Sequence, residues 1–173
     1  MTLKIEETLH GAVILEILTA ISKKKKDYSY KLFNGRSSSS YYLHFYNSSK
    51  KSTLNFFNKE SKPDKKIGIF IKISRKRISP WRYTFKREHQ EEVEEMKLSA
   101  DDTYVALVSG MDGIALLTYS NLKKLLDYNY EETEWLSVSR KFNEYYRVDG
   151  NDGKKKLNIP KSNFPSKILK KLF

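Results

Sequence analysis

The sequence predicts an α/β (α+β) fold: a mixed, mainly antiparallel central sheet flanked by two or three helices, in one globular domain spanning residues 1–173. Three observations carry that expectation. Short segments with two-residue alternation, such as IGIFIKIS at 67–74, read as strands, and longer segments with apolar residues three and four apart read as helices. The hydrophobic fraction of 39% and aromatic fraction of 13% supply a core for 173 residues, which argues for order despite a polar average.

The elements follow in chain order. LHGAVILEILTAI, residues 9–21, places Leu9, Val13, Ile17 and Ile21 at fourfold spacing with Ile14 and Leu18 beside them, predicting a buried helix in which Glu16 is the odd residue. Lys23 to Lys26 follow, where cations suit the negative end of the helix dipole. YSYKLF, SSSSYYLHFY and STLNFF are aromatic-rich and bounded by Asn, Gly, Ser or Lys, predicting short strands of an antiparallel meander. NGRSSSS (34–40) and KESKPDKK (59–66) are polar connections. In IGIFIKIS one strand face is Ile67, Ile69, Ile71 and Ile73, and Lys72 and Ser74 share the other. Past Pro80, Thr84 is placed to cap a helix KREHQEEVEEMKL, whose apolar line of His89, Val93 and Met96 is surrounded by glutamates. TYVALVSG and GIALLTY are nearly continuous apolar runs, predicting central strands joined by a tight Met-Asp-Gly turn. Ser120 then caps NLKKLLD, and WLSVSRK, EYYRVDG and KKKLNIP read as strands, with NDG (151–153) as a turn.

Composition narrows the chemistry. The absence of cysteine removes disulfides, thiolate metal sites and a cysteine nucleophile. His10, His44 and His89 fall on three different elements, so neither an imidazole metal site nor a Ser-His-Asp relay is expected, and no metal or cofactor is implied by ligand type. Glu6, Glu7 and Glu16 interrupt the N-terminal segment where a signal peptide needs basic residues and then an unbroken apolar run. No segment reaches the roughly eighteen apolar residues of a membrane span. A cytoplasmic protein without a membrane partner is the expectation.

Net charge is +12 and it is unevenly placed. Residues 1–85 hold 18 Lys or Arg against 6 acids, residues 86–135 hold 5 against 12, and residues 136–173 hold 10 against 3. That alternation predicts an acidic flank and a basic face built from the two ends of the chain. The segment KIGIFIKISRKRISPWRYTF (66–85) concentrates 6 cations with no acid, and nucleic acid is the expected partner. Lys72, Arg75, Lys76, Arg77, Arg82, Arg140 and Arg147 are the candidate phosphate contacts, with Lys154 to Lys156 extending the stripe, and Trp81 with Tyr83 the candidate stacking faces. The competing reading makes Trp81, Tyr83 and Phe85 core anchors. Arg36 and Ser37 to Ser40 carry phosphate-binding donors but read better as a serine-rich turn. An acidic protein is the alternative partner, with the Glu88 to Glu95 helix meeting a basic one.

Over about residues 7–110 the order of helix, three strands, helix and strand resembles the restriction-endonuclease-like PD-(D/E)XK nucleases. That family follows a Pro-Asp pair with an acid-x-Lys triplet; here Pro63-Asp64 is followed by Phe70-Ile71-Lys72, so the lysine matches and the second acid does not. The resemblance implies either a binding-only relative without a cofactor, or a divergent Mg²⁺-dependent nuclease of bacterial or phage defence. In the second case its catalytic residues are Lys72, Asp64 and a migrated acid, Glu16 or Glu60. Backbone contact to nucleic acid is the primary expectation and the nuclease the alternative.

Overall fold

The structure is a computed structural model and describes residues 4–24, 28–47, 62–127, 132–151 and 155–172. The predicted strand STLNFF lies outside the described residues, as do Glu60 and Lys154. In chain order the elements are α1 (Ile5–Lys24), β1 (Tyr28–Asn34), β2 (Ser40–Asn47), β3 (Lys65–Ser74), β4 (Trp81–Phe85), α2 (Arg87–Ser99), β5 (Asp102–Ser109), β6 (Gly113–Thr118), α3 (Tyr119–Leu125), β7 (Glu134–Ser139), β8 (Tyr146–Gly150), β9 (Lys156–Ile159) and α4 (Asn163–Leu172). No helix among the described residues is long and apolar enough to cross a membrane.

The fold is the expected mixed, mainly antiparallel α/β arrangement, but it holds two sheets. The first has the order β1-β2-β3-β5-β6, with β3 and β5 parallel and every other pair antiparallel. The second, β4-β7-β8-β9, is wholly antiparallel. Residues 67–71 of β3 and 103–109 of β5 are buried without a break, so both faces of this pair need cover. On one face Ile67, Ile69, Ile71, Tyr104, Ala106 and Val108 pack against Val13, Ile14, Ile17 and Ile21 of α1 and Ile168 and Leu169 of α4. On the other, Phe70, Val105 and Leu107 meet Val93 and Met96 of α2, Leu122 and Leu125 of α3, and the inner side of the second sheet.

Several boundaries move from expectation. WRYTF is a strand, with Trp81, Tyr83 and Phe85 inward and Arg82 and Thr84 outward. Thr84 therefore pairs with Trp135 in the sheet, and α2 begins three residues later, after Lys86. The short helix α3 is capped by Thr118, whose hydroxyl accepts the Asn121 N–H at 3.2 Å, rather than by Ser120. Helix α4 was not anticipated. The serine turn docks on α2: Glu92, buried at 4% exposure, accepts the Ser37 N–H at 2.7 Å and the Ser40 hydroxyl at 2.5 Å, while Arg36 donates to Glu95 at 2.8 Å. Its donors face a carboxylate, which agrees with a structural turn and leaves them no phosphate to bind.

Removing Glu92 strands two partly buried donors, so Glu92→Ala is expected to lose about 2 kcal/mol of stability in urea unfolding, whereas Glu95→Ala, from an exposed pair, is expected to lose under about 0.5 kcal/mol.

Candidate nucleic-acid interface

The carboxyl ends of the parallel strands β3 and β5 lie together, and three connections meet there. Residues 75–80 join β3 to β4, residues 110–112 form the β5–β6 turn, and residues 140–145 join β7 to β8. Arg140 is the hub. Its guanidinium donates to both carboxylate oxygens of Asp112 at 2.8 and 2.5 Å and reaches the Lys141 and Glu144 carbonyls at 3.5 Å, while its backbone N–H donates to the Ser79 hydroxyl at 3.3 Å. The guanidinium also lies 5.5 Å from the Tyr146 ring centre, and only 11% of the Arg140 side chain is exposed. The hydrogen bonds from Arg140 hold the Asp112 carboxyl below its ordinary range against the opposing pull of burial. Gly110 completes the junction: its N–H donates to the Ser74 carbonyl at 3.2 Å, its φ is +54°, and a Cβ there would stand 2.6 Å from the Lys76 carbonyl.

At this end the loops present cations and apolar tips. Lys76, Arg77 and Lys141 are exposed, and neither Lys76 nor Arg77 forms an ion pair among the described residues. Lys161 donates to the Asp112 carbonyl at 2.6 Å. Ile78, Met111, Phe142 and Tyr145 are exposed beside them. The outward face of the second sheet continues the surface. Its register sets Arg82 beside Ser137, Ser137 beside Asp149 and Asp149 beside Lys156, with Ser139, Arg147 and Asn158 as the next row. Cations from the middle of the chain and from its tail thus share one face.

The nine residues selected from sequence have different fates. Trp81 is buried, with its indole N–H donating to the Lys76 carbonyl at 2.8 Å, and Tyr83 is buried, bonded to the Ser109 hydroxyl at 2.8 Å. Neither ring is a stacking face; both anchor the core, because β4 alternates and its inward positions meet Val138 and Leu136. Arg140 is internal. Arg75 pairs with Glu6 at 2.8 Å and Arg147 with Glu144 at 3.0 Å, both exposed pairs of small energetic weight. Arg82 lies over the Trp135 ring at 4.8 Å. Lys76 and Arg77 remain exposed. The residues that sequence reasoning missed here are Phe142 and Tyr145; their signal was two rings in a polar stretch, KFNEY (141–145), that no core periodicity required.

Lys72 belongs to a different environment. Strand β2 stops pairing with β3 at Ser40–Phe70, and the uncovered edge of β3 borders a 230 Å³ cleft lined by Glu6, Glu7, His10, Ser38, Ser39 and Lys72 among others. The Lys72 ammonium lies 3.3 Å from Nδ1 of His89 and 5.7 Å from the Phe85 ring centre, and burial, seconded by Lys86, lowers its pKa from 10.5 to about 8. His89 is held below its ordinary value by burial and by Lys72. Of the acids expected to join Lys72, Asp64 and Glu16 lie elsewhere. Asp64 sits at the opposite end of β3, about 26 Å away along the strand, where it accepts the Asn47 N–H at 2.8 Å. Glu16 is exposed in mid-helix and lines a shallow hollow with Leu15, Thr19 and Pro165. Phe70 is fully buried, 6.4 Å from Phe85 and 6.0 Å from His89. The trio is not assembled, and no group of three His, Asp or Glu among the described residues is placed to hold a metal ion. Lys72, Asp64 and Glu16 do not form a donor set for Mg²⁺.

The acidic helix is occupied from within. Each of the five glutamates of α2 has an internal partner: Glu88 with Lys86, Glu91 with Arg87, Glu92 with the serine turn, Glu94 with Tyr119 and Lys123, and Glu95 with Arg36. On the loop end Lys76, Arg77 and Lys141 are exposed, and the exposed carboxylates there, Glu6 and Glu144, pair with Arg75 and Arg147. Comparison with known protein families, with curated proteins and with solved structures returned no match.

Arg140→Ala removes the hub and strands Asp112, and is expected to lose about 2–3 kcal/mol in chemical unfolding, with Asp112→Ala losing a similar amount and the double variant little more than either. Lys72 tests the sign of linkage: its folded-state pKa, about 8, lies below the unfolded value of 10.5, so its destabilising charge is fully present below pH 8 and relieved as pH rises through that window. Lys72→Met is therefore expected to exceed the parent stability at pH 7 by about 1 kcal/mol, and the difference should vanish toward high pH. A difference constant with pH contradicts this.

Proposed function

We propose that the protein binds nucleic acid, contacting the phosphate backbone with the loop end and the outward face of the second sheet. The observation that carries the reading is the meeting of residues 75–80 with residues 140–145 around Arg140, which brings Lys76, Arg77 and Lys141 to one place. Lys76 and Arg77 repel one another and have no carboxylate partner among the described residues, so a polyanion would relieve them, whereas Arg75 already has Glu6. Among the described residues no helix projects from this end to enter a groove, so affinity comes from phosphates more than from base edges.

The element order on which the resemblance rests, α1, β1, β2, β3, α2 and β5 with β4 inserted before α2, supports reading the protein as a distant, binding-only relative of the restriction-endonuclease-like fold. Phe70 in place of an acid, with Asp64 at the far end of β3 and Glu16 exposed in mid-helix, speaks against catalysis by the expected trio.

Fluorescence anisotropy with a labelled oligonucleotide across a salt series tests the reading. Binding should weaken steeply with salt, and Lys76→Ala with Arg77→Ala should reduce the slope of log affinity against log salt by roughly 1.4–1.8 without changing the melting temperature. The oligonucleotide should remain intact with Mg²⁺ added. Absent or salt-insensitive binding overturns the proposal, and Mg²⁺-dependent cleavage overturns its binding-only form.

A further inference from the structure

The loop between β7 and β8 and the neighbouring strand β9 enclose an open cleft of about 360 Å³, lined by Asn143, Glu144, Tyr145, Arg147 and Asn158. Its volume lies at the small end of the range for small-molecule pockets. We infer that this cleft seats an unpaired nucleobase, which makes single-stranded nucleic acid the preferred ligand of the surface; the inference rests on the nucleic-acid reading above.

The lining has the chemistry of base recognition. Tyr145 offers an aromatic face that is 60% exposed, and Arg147 a planar guanidinium with one edge held by Glu144 at 3.0 Å, leaving its flat faces for stacking. Asn143 and Asn158 each supply an amide with donors and an acceptor side by side, the pattern that a base edge complements. Asn158 is opposite Arg147 in the β8–β9 register, and Asn143 holds a left-handed backbone with φ of 61°, so strand pairing and loop geometry bring both amides to the cleft. Phe142, 87% exposed, adds a second ring on the same loop, and such exposure on a loop clamped by Arg140 is explained by a partner that covers it. Strand partners complete the path: Ser139 lies beside Arg147, and the Arg82–Trp135 stack lies further across the face.

The same features disfavour a duplex. Bases in a duplex are stacked on one another, and delivering one into this cleft costs unpairing, whereas an unpaired base has its ring free. The cations that track the backbone, Lys76, Arg77 and Lys141, lie at the loop end from which a strand would run onto the sheet face.

The test compares a labelled single-stranded 15-mer of mixed sequence with the same sequence as a duplex, at one ionic strength, on the full chain. The single strand is expected to bind more tightly. Tyr145→Ala combined with Phe142→Ala should weaken single-strand binding by about tenfold or more, and Asn158→Ala by a smaller factor, with the salt slope unchanged because no phosphate contact is lost. Tyr145→Phe should retain affinity. A 2-aminopurine placed in the strand should lose fluorescence on binding the parent protein and recover it with the Tyr145→Ala variant. Equal or preferential duplex binding, or a Tyr145→Ala variant with parental affinity and quenching, overturns the inference while salt-dependent binding leaves the general proposal standing; no binding of either ligand at low salt removes both.

Discussion

The parallel pairing of β3 with β5 is the constraint on which the rest depends. A parallel pair cannot be closed by a tight turn, so the chain leaves β3 and makes a long excursion before returning as β5. Because both faces of the pair are apolar, that excursion and the chain ends must also supply its cover. Helices α1 and α4, from the two termini, cover one side. The other receives α2 from within the excursion, and β4, which departs from its predecessor's sheet to nucleate a second one. Tertiary need, not local preference, thus divides the nine described strands into two sheets.

The division creates the surface. Had β4 continued the first sheet, residues 75–77 would lie far from the last strands; as the edge of the second sheet, β4 brings them beside residues 140–145. The Arg140–Asp112 pair then fastens the hairpin of one sheet to a loop of the other. Its bidentate geometry makes it a bond of position as much as of energy. With the glutamates of α2 engaged by their own neighbours, the uneven charge seen along the sequence becomes uneven charge in space.

Much of this was legible in the sequence, for identifiable reasons. The helix through Leu9 to Ile21, the alternating isoleucines of β3 and the apolar runs of β5 and β6 have periodicities that burial alone enforces. Strand β4 was hidden because Trp81, Tyr83 and Phe85 separated by Arg82 and Thr84 suit a stacking surface as well as a buried strand, and only the Val138 and Leu136 partners on β7 decide between them. Helix α4 was masked by Pro165 near its start and by lysines around Ile168 and Leu169. The site was harder to read. Arg140 reads as one more surface cation until Asp112, distant in sequence, is found against it, and Lys72 reads as a strand-edge lysine until the depth of its setting is known.

One arrangement has a consequence for motion in solution. Asp64, Asp101 and Asp102 stand at the amino ends of β3 and β5, where they accept the Asn47 and Lys66 N–H groups and pair with Lys65, while the guanidinium and ammonium groups of residues 75–77 stand at the opposite ends of the same strands. The amino-end carboxylates thus stand among Lys65 and Lys66, whereas Lys76 and Arg77 at the carboxyl end form no ion pair among the described residues. Charges left unbalanced at one end of an axis turn a body in an external field, so the strand direction that fixes the fold also fixes the end such a field acts on.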